Sequence, residues 1–166
     1  MPATYEPIAT TTLGSAAAAI TFNSIGAGYT DLRLVLFVTS TSVDQRSPRL
    51  TLNNDTGTNY SFNYLNGDGT SATGGRSVTQ ANINLAYHGT SLTSPVFYTV
   101  DLFSYAGSTN KTVLGTGSED KNGSGSAHRV VGLWRNTAAI TRIDLTSNTG
   151  TFSTGTTATL YGILKA

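Results

Sequence analysis

Short runs of β-branched and aromatic residues, alternating with polar ones and bounded by Gly, Asn, Ser or Thr, recur along the whole chain. No window repeats its apolar positions at helical spacing over three turns, and turn formers interrupt every candidate helix within about ten residues. The pattern predicts strands over Ala17–Phe22, Leu32–Thr39, Leu50–Leu52, Tyr60–Tyr64, Ile83–Tyr87, Val96–Tyr105, Lys111–Leu114, Arg129–Trp134, Ile140–Leu145 and Thr157–Leu164. Leu32–Thr39 is apolar on both faces, Leu32, Leu34, Leu36 and Val38 on one and Val35 and Phe37 on the other, so it should lie in the centre, covered on both sides. Tyr60, Phe62 and Tyr64 alternate with Ser61 and Asn63, which gives one dry face and one wet one.

The connections follow from their turn formers. Asn53–Thr58 contains Asn, Asp and Gly, which tolerate positive φ, and predicts a hairpin joining the strands on either side. Thr70–Arg76 reads as a polar loop, and Ser118–Ser126 as a flexible loop of the kind that makes a contact surface. Residues 1–15 have few apolar positions and read as an edge strand or an arm reaching a neighbour; residues 16–166 read as one domain. Strands this numerous without crossover helices pair mainly antiparallel, and the expected fold is an all-β, antiparallel β-sandwich, jelly-roll-like.

Composition narrows the function more than the fold. Only 11% of residues are charged, and net charge is +1 from ten basic and nine acidic side chains. Such a surface suits a protein docked in an assembly better than a freely diffusing enzyme. It supplies no field to attract nucleic acid or an anionic membrane, so neither is expected as a direct partner. Absence of cysteine removes thiolate metal sites and cysteine nucleophiles. No secretion signal is expected, because Met1–Glu6 lacks a basic stretch, and Ala16–Ile20 is too short to cross a bilayer.

Candidate chemistry is thin. His88 and His128 stand in no catalytic motif and read as strand-end or surface histidines; Gly123–Ser126 only superficially resembles a nucleophile elbow. Asn53, Asn54, Asp55 and Asn59, or Asn66 and Asp68, could offer oxygen ligands to calcium, but each set holds a single carboxylate, and turn chemistry accounts for both. No catalytic, cofactor or metal residue is therefore expected. Trp134 reads as core.

Several segments combine into a recognisable set: Tyr5–Thr10, Ile20–Ile25 with its F-x-x-I, Tyr29–Leu34, the N-x-D-x-x-x-N-Y of Asn53–Tyr60, Leu133–Thr141, and the L-Y-G-I of Leu160–Ile163. Together they resemble a group of tailed-phage virion proteins found as capsid decoration (cement) proteins and as terminal domains of tail fibres. The resemblance implies a β-sandwich without catalytic residues, a homotrimer, and a place on the outer capsid surface after assembly in the bacterial cytoplasm. It implies the major capsid protein as partner. The compact chain without a shaft favours decoration over the alternative, a tail-fibre or receptor-binding module contacting host glycans. The residues expected to touch the partner are Tyr5, Glu6 and Pro7 of the N-terminal segment and Glu119, Asp120 and Lys121 of the Ser118–Ser126 loop.

Overall fold

The computed structural model describes residues 4–39, 47–86, 95–120 and 122–164. They form twelve strands: β1 (Tyr5–Thr12), β2 (Ala19–Phe22), β3 (Asp31–Val38), β4 (Pro48–Leu52), β5 (Tyr60–Gly67), β6 (Ala72–Gln80), β7 (Ile83–Asn84), β8 (Val96–Phe103), β9 (Lys111–Asp120), β10 (Gly125–Trp134), β11 (Ile143–Ser147) and β12 (Thr157–Ile163). No helix occurs among the described residues. Eight strands make one sheet, in the order β1-β12-β3-β8-β9-β10-β5-β6, and four make the other, β2-β11-β4-β7. Every pairing is antiparallel. The fold is an all-β sandwich of two antiparallel sheets.

Alternation decides what lies between the layers. Leu32, Leu34, Leu36 and Val38 of β3 join Tyr98, Val100 and Leu102 of β8, Leu160 of β12, and Tyr60 and Trp134 of β5 and β10 in the core. Ile20, Phe22, Leu50, Leu52, Ile83, Ile143 and Leu145 meet them from the smaller sheet. The second apolar face of β3 departs from expectation. Arg33, Val35 and Phe37 are half-buried by lateral neighbours, Phe37 edge-on to Phe97 at 5.0 Å, but no second layer covers them among the described residues.

Three connections differ from the sequence reading. The Leu52-to-Tyr60 segment is not a hairpin: β4 belongs to the four-stranded sheet and β5 to the eight-stranded one, so Asn53–Asn59 carries the chain between layers. Alternating strands flanking a turn give the same sequence signal in both cases; the difference lies in where the turn is fastened. Asn53 and Asn54 take positive φ, 51° and 58°, and the Asn53 side chain accepts from the backbone N–H groups of Thr141 and Arg142 while donating to the Ala139 carbonyl.

The expected polar loop at Thr70–Arg76 is instead mostly strand β6, the outer edge of the large sheet. An edge strand needs no apolar face, so composition hid it. Its glycines have a packing reason: a Cβ on Gly75 would stand 2.6 Å from the Tyr64 hydroxyl. The Ser118–Ser126 loop also contracts, since β9 runs to Asp120 and β10 starts at Gly125, with residues 122–124 the described part of the connection. Here too glycine admits an aromatic ring, because a Cβ on Gly117 would lie 2.6 Å from the ring of Tyr98.

Candidate functional site

Among the described residues, the most heavily hydrogen-bonded polar cluster sits where the chain crosses between layers. Asp55 accepts from the Gly57 amide at 2.9 Å, from the Asn59 side chain at 2.9 Å, and from the buried indole N–H of Trp134 at 2.7 Å. Trp134 stacks on Tyr60, centroids 6.3 Å apart and planes 14° from parallel. The Tyr60 hydroxyl donates to the carbonyls of Leu52 and Asp55 and accepts from the Leu52 amide. Burial pushes that phenol up to about 12. Asp55 and Asn53 spend their oxygens holding the crossing together, which is turn chemistry rather than ligand chemistry. Asp68 does the same in the β5–β6 turn, capping the amides of Thr70 and Ser71.

The Trp134 indole, then Asn59 and the Gly57 amide, hold Asp55 below its ordinary value of 3.8 against an opposing effect of burial. A depressed carboxylate contributes stability that is full above the unfolded value and is lost as pH falls through the folded one. Asp55→Asn should therefore flatten the loss of stability below pH 3.8, measured by urea unfolding across the acid range. An unchanged acid limb would count against the assignment.

His128 is not a surface residue. It is buried on the inward face of β10, 2.7 Å from the Ser126 hydroxyl, which also donates to Glu119 at 3.4 Å. In these two contacts serine stands between histidine and carboxylate, an order different from that of a Ser-His-acid relay. His88 lies outside the described residues, as does Lys121.

The other expected contact residues fall into two separate places. Tyr5, Glu6 and Pro7 begin β1, which is already paired with β12 at one edge of the large sheet. The Tyr5 ring lies under the Arg33 guanidinium, 5.4 Å from its centroid, and Glu6 accepts from the Tyr29 hydroxyl at 3.3 Å. Glu119 and Asp120 end β9, four strands away in the sheet order and at the opposite end of the strands. At about 4.8 Å per strand and 3.4 Å per residue the two groups are roughly 30 Å apart. They do not make one site.

What the sequence reading missed is the outward face of the eight-stranded sheet. Among the described residues all six exposed large apolar side chains lie on it: Tyr5, Leu65, Val78, Phe97, Phe103 and Val131. Register joins several of them in rows, Phe103 beside Thr112 and Leu133, and Leu114 beside Val131 and Asn63. Between β9, β10, β5 and β6 the face dips into a shallow groove of about 300 Å³, lined by Val78, Val131, Leu133, Asn63, Thr112 and Arg76 among others. The corresponding face of the small sheet is polar, with Thr21, Asp144 and Thr51 in one row and Thr146, Arg49 and Asn84 in the next. Scattered surface apolar groups are ordinary, but a one-sided concentration marks a contact surface. The signal was present in Val35, Phe37, Phe97, Val131 and Leu133, which occupy the second face of strands whose first face already fills the core.

Comparison with family models, with curated proteins and with solved structures found no match.

Proposed function

We propose that this chain is a virion structural protein of a tailed phage, a capsid decoration protein that docks on the major capsid protein and stabilises the head. One observation carries the proposal: among the described residues all six exposed large apolar side chains lie on the outward face of the large sheet, while the outward face of the small sheet is made of polar side chains. Low total charge agrees with a surface meant to be covered. The motifs that resemble phage decoration proteins, N-x-D-x-x-x-N-Y and L-Y-G-I, fall at the interlayer crossing and in β12, where they stiffen the body that carries the face.

In this reading many copies, each burying moderate apolar area, bridge neighbouring coat subunits, and the lattice supplies effective concentration that single weak contacts lack. The test is protein quantification in purified particles made by the genome that encodes the chain. A copy number comparable to that of the coat protein is expected. A handful of copies would favour the tail-fibre reading, and absence from particles would refute both.

A further inference from the structure

We infer that the groove across β9, β10, β5 and β6 receives an extended segment of the partner protein bearing two carboxylates four residues apart with an apolar side chain midway. The inference rests on the docking reading above and names the chemistry of what docks.

Charge complementarity is the ground for it. Arg33 lies on the same outward face and is neutralised in place, its guanidinium gripping Asp101 through Nε and Nη2 at 2.6 and 2.9 Å. Arg76 on β6 and Arg129 on β10 are exposed on that face and form no ion pair with any described residue. The outward positions around them carry no acid: Asn63 and Leu65 on β5, Gly74 and Val78 on β6, Leu114 and Thr116 on β9, Val131 and Leu133 on β10. Asp120 is the nearest outward carboxylate along β9, about 13 Å beyond Thr116 at strand rise, and it caps the Asn122 amide. Two unneutralised arginines, Arg76 lining the apolar groove and Arg129 two residues before its Val131 on β10, are thus the basic half of an interface whose acidic half belongs elsewhere. Arginine is the cation favoured in such positions, because its fork accepts a carboxylate in two hydrogen bonds.

Register sets the spacing. Arg76 faces Asn63, and Arg129 faces Leu65, so the two arginines are separated by β5 and displaced by two residues, roughly 12 Å between backbones. In an extended segment, side chains four residues apart point the same way and stand about 13.5 Å apart. Two carboxylates at that spacing reach both arginines, and the side chain between them rests over β5 on Leu65 and Asn63 and beside Val131, the last two lining the groove.

The test is selection of a displayed library of random eight-residue peptides on the immobilised protein, then titration of the enriched peptides in solution. Enrichment of an acid–x–apolar–x–acid pattern is expected. Its affinity should fall at least tenfold in the Arg76→Glu, Arg129→Glu double variant and in Val131→Asp, with thermal melting unchanged because all three side chains are exposed. No enrichment, a neutral or basic pattern, or equal binding to the double variant would overturn the inference. So would equal binding of a single-stranded oligonucleotide, or self-association through the groove that Val131→Asp abolishes. Because copy number in particles is measured independently, a chain abundant in virions but blind to such peptides refutes this inference while sparing the functional reading.

Discussion

Replacing Trp134 with alanine is expected to lower the unfolding free energy by about 4 kcal/mol, the cost of deleting a large, fully buried aromatic from a core that cannot close over the gap. More than volume is lost. Trp134 is the stacking partner of Tyr60 and the donor that Asp55 needs where the chain passes between sheets. Trp134→Phe separates the two contributions by keeping a ring and removing the N–H, and it should cost about 1–3 kcal/mol for a lost hydrogen bond to a charged group. Urea unfolding followed by tyrosine and tryptophan fluorescence, or by circular dichroism for the Trp-less variants, gives both values. A Trp134→Ala cost below about 1 kcal/mol would show that the crossing is not the clamp described here.

Gly162→Val should cost about 3 kcal/mol, because the site has no room for a side chain. A Cβ there would stand 2.3–2.5 Å from the ring of Tyr29, among the atoms nearest its own Cβ, so the ring cannot simply swing its tip aside. Tyr29 is also tethered: its amide donates to the Tyr105 hydroxyl and its own hydroxyl to Glu6. Combining Gly162→Val with Tyr29→Ala should recover much of the loss, a coupling that a double-mutant cycle reads directly. Strict additivity would mean that the ring and the glycine do not share the space. The glycine of the L-Y-G-I motif is therefore a seat for an aromatic ring carried by a segment more than a hundred residues earlier.

The alternation of Leu32–Val38 was sufficient to place one central strand, and with that of Val96–Leu102 it marks the core the two strands share. Edge strands were harder to see. Through Ser77 β6 is made of Ala, Thr, Gly, Arg and Ser, residues indistinguishable by composition from a loop, and it is a strand because β5 offers it a ladder and Tyr64 fills the space over Gly75. The lengths of β9 and β10 were underestimated for the same reason: Gly115, Gly117 and Gly125 weaken the local signal, while ten paired residues hold the hairpin. The crossing at Asn53–Asn59 was misread as a hairpin because turn residues announce a reversal and not its destination. That information sits in Trp134 and in residues 139–142, far along the chain.

The outward apolar face escaped for a different reason. Local patterning assigns each apolar residue to a core, and Val35, Phe37, Phe97, Val131 and Leu133 look like part of one. Only the sheet order shows that the second face of these strands has no layer against it among the described residues. The expected contact residues, by contrast, were chosen for sitting at a terminus or in a loop. Tyr5 does belong to the outward face, but Glu6 points back to Tyr29, and the Glu119–Asp120 end of β9 stands apart from the groove.

Carbene labelling with mass-spectrometric readout, on the free chain and on the assembled particle, tests the central claim most directly. Leu65, Phe97, Phe103 and Val131 should label in the free chain and lose most of that labelling in the particle, while Arg49 and Thr51 on the small sheet keep theirs. Unchanged labelling of the large sheet, or protection confined to the small one, would contradict the account.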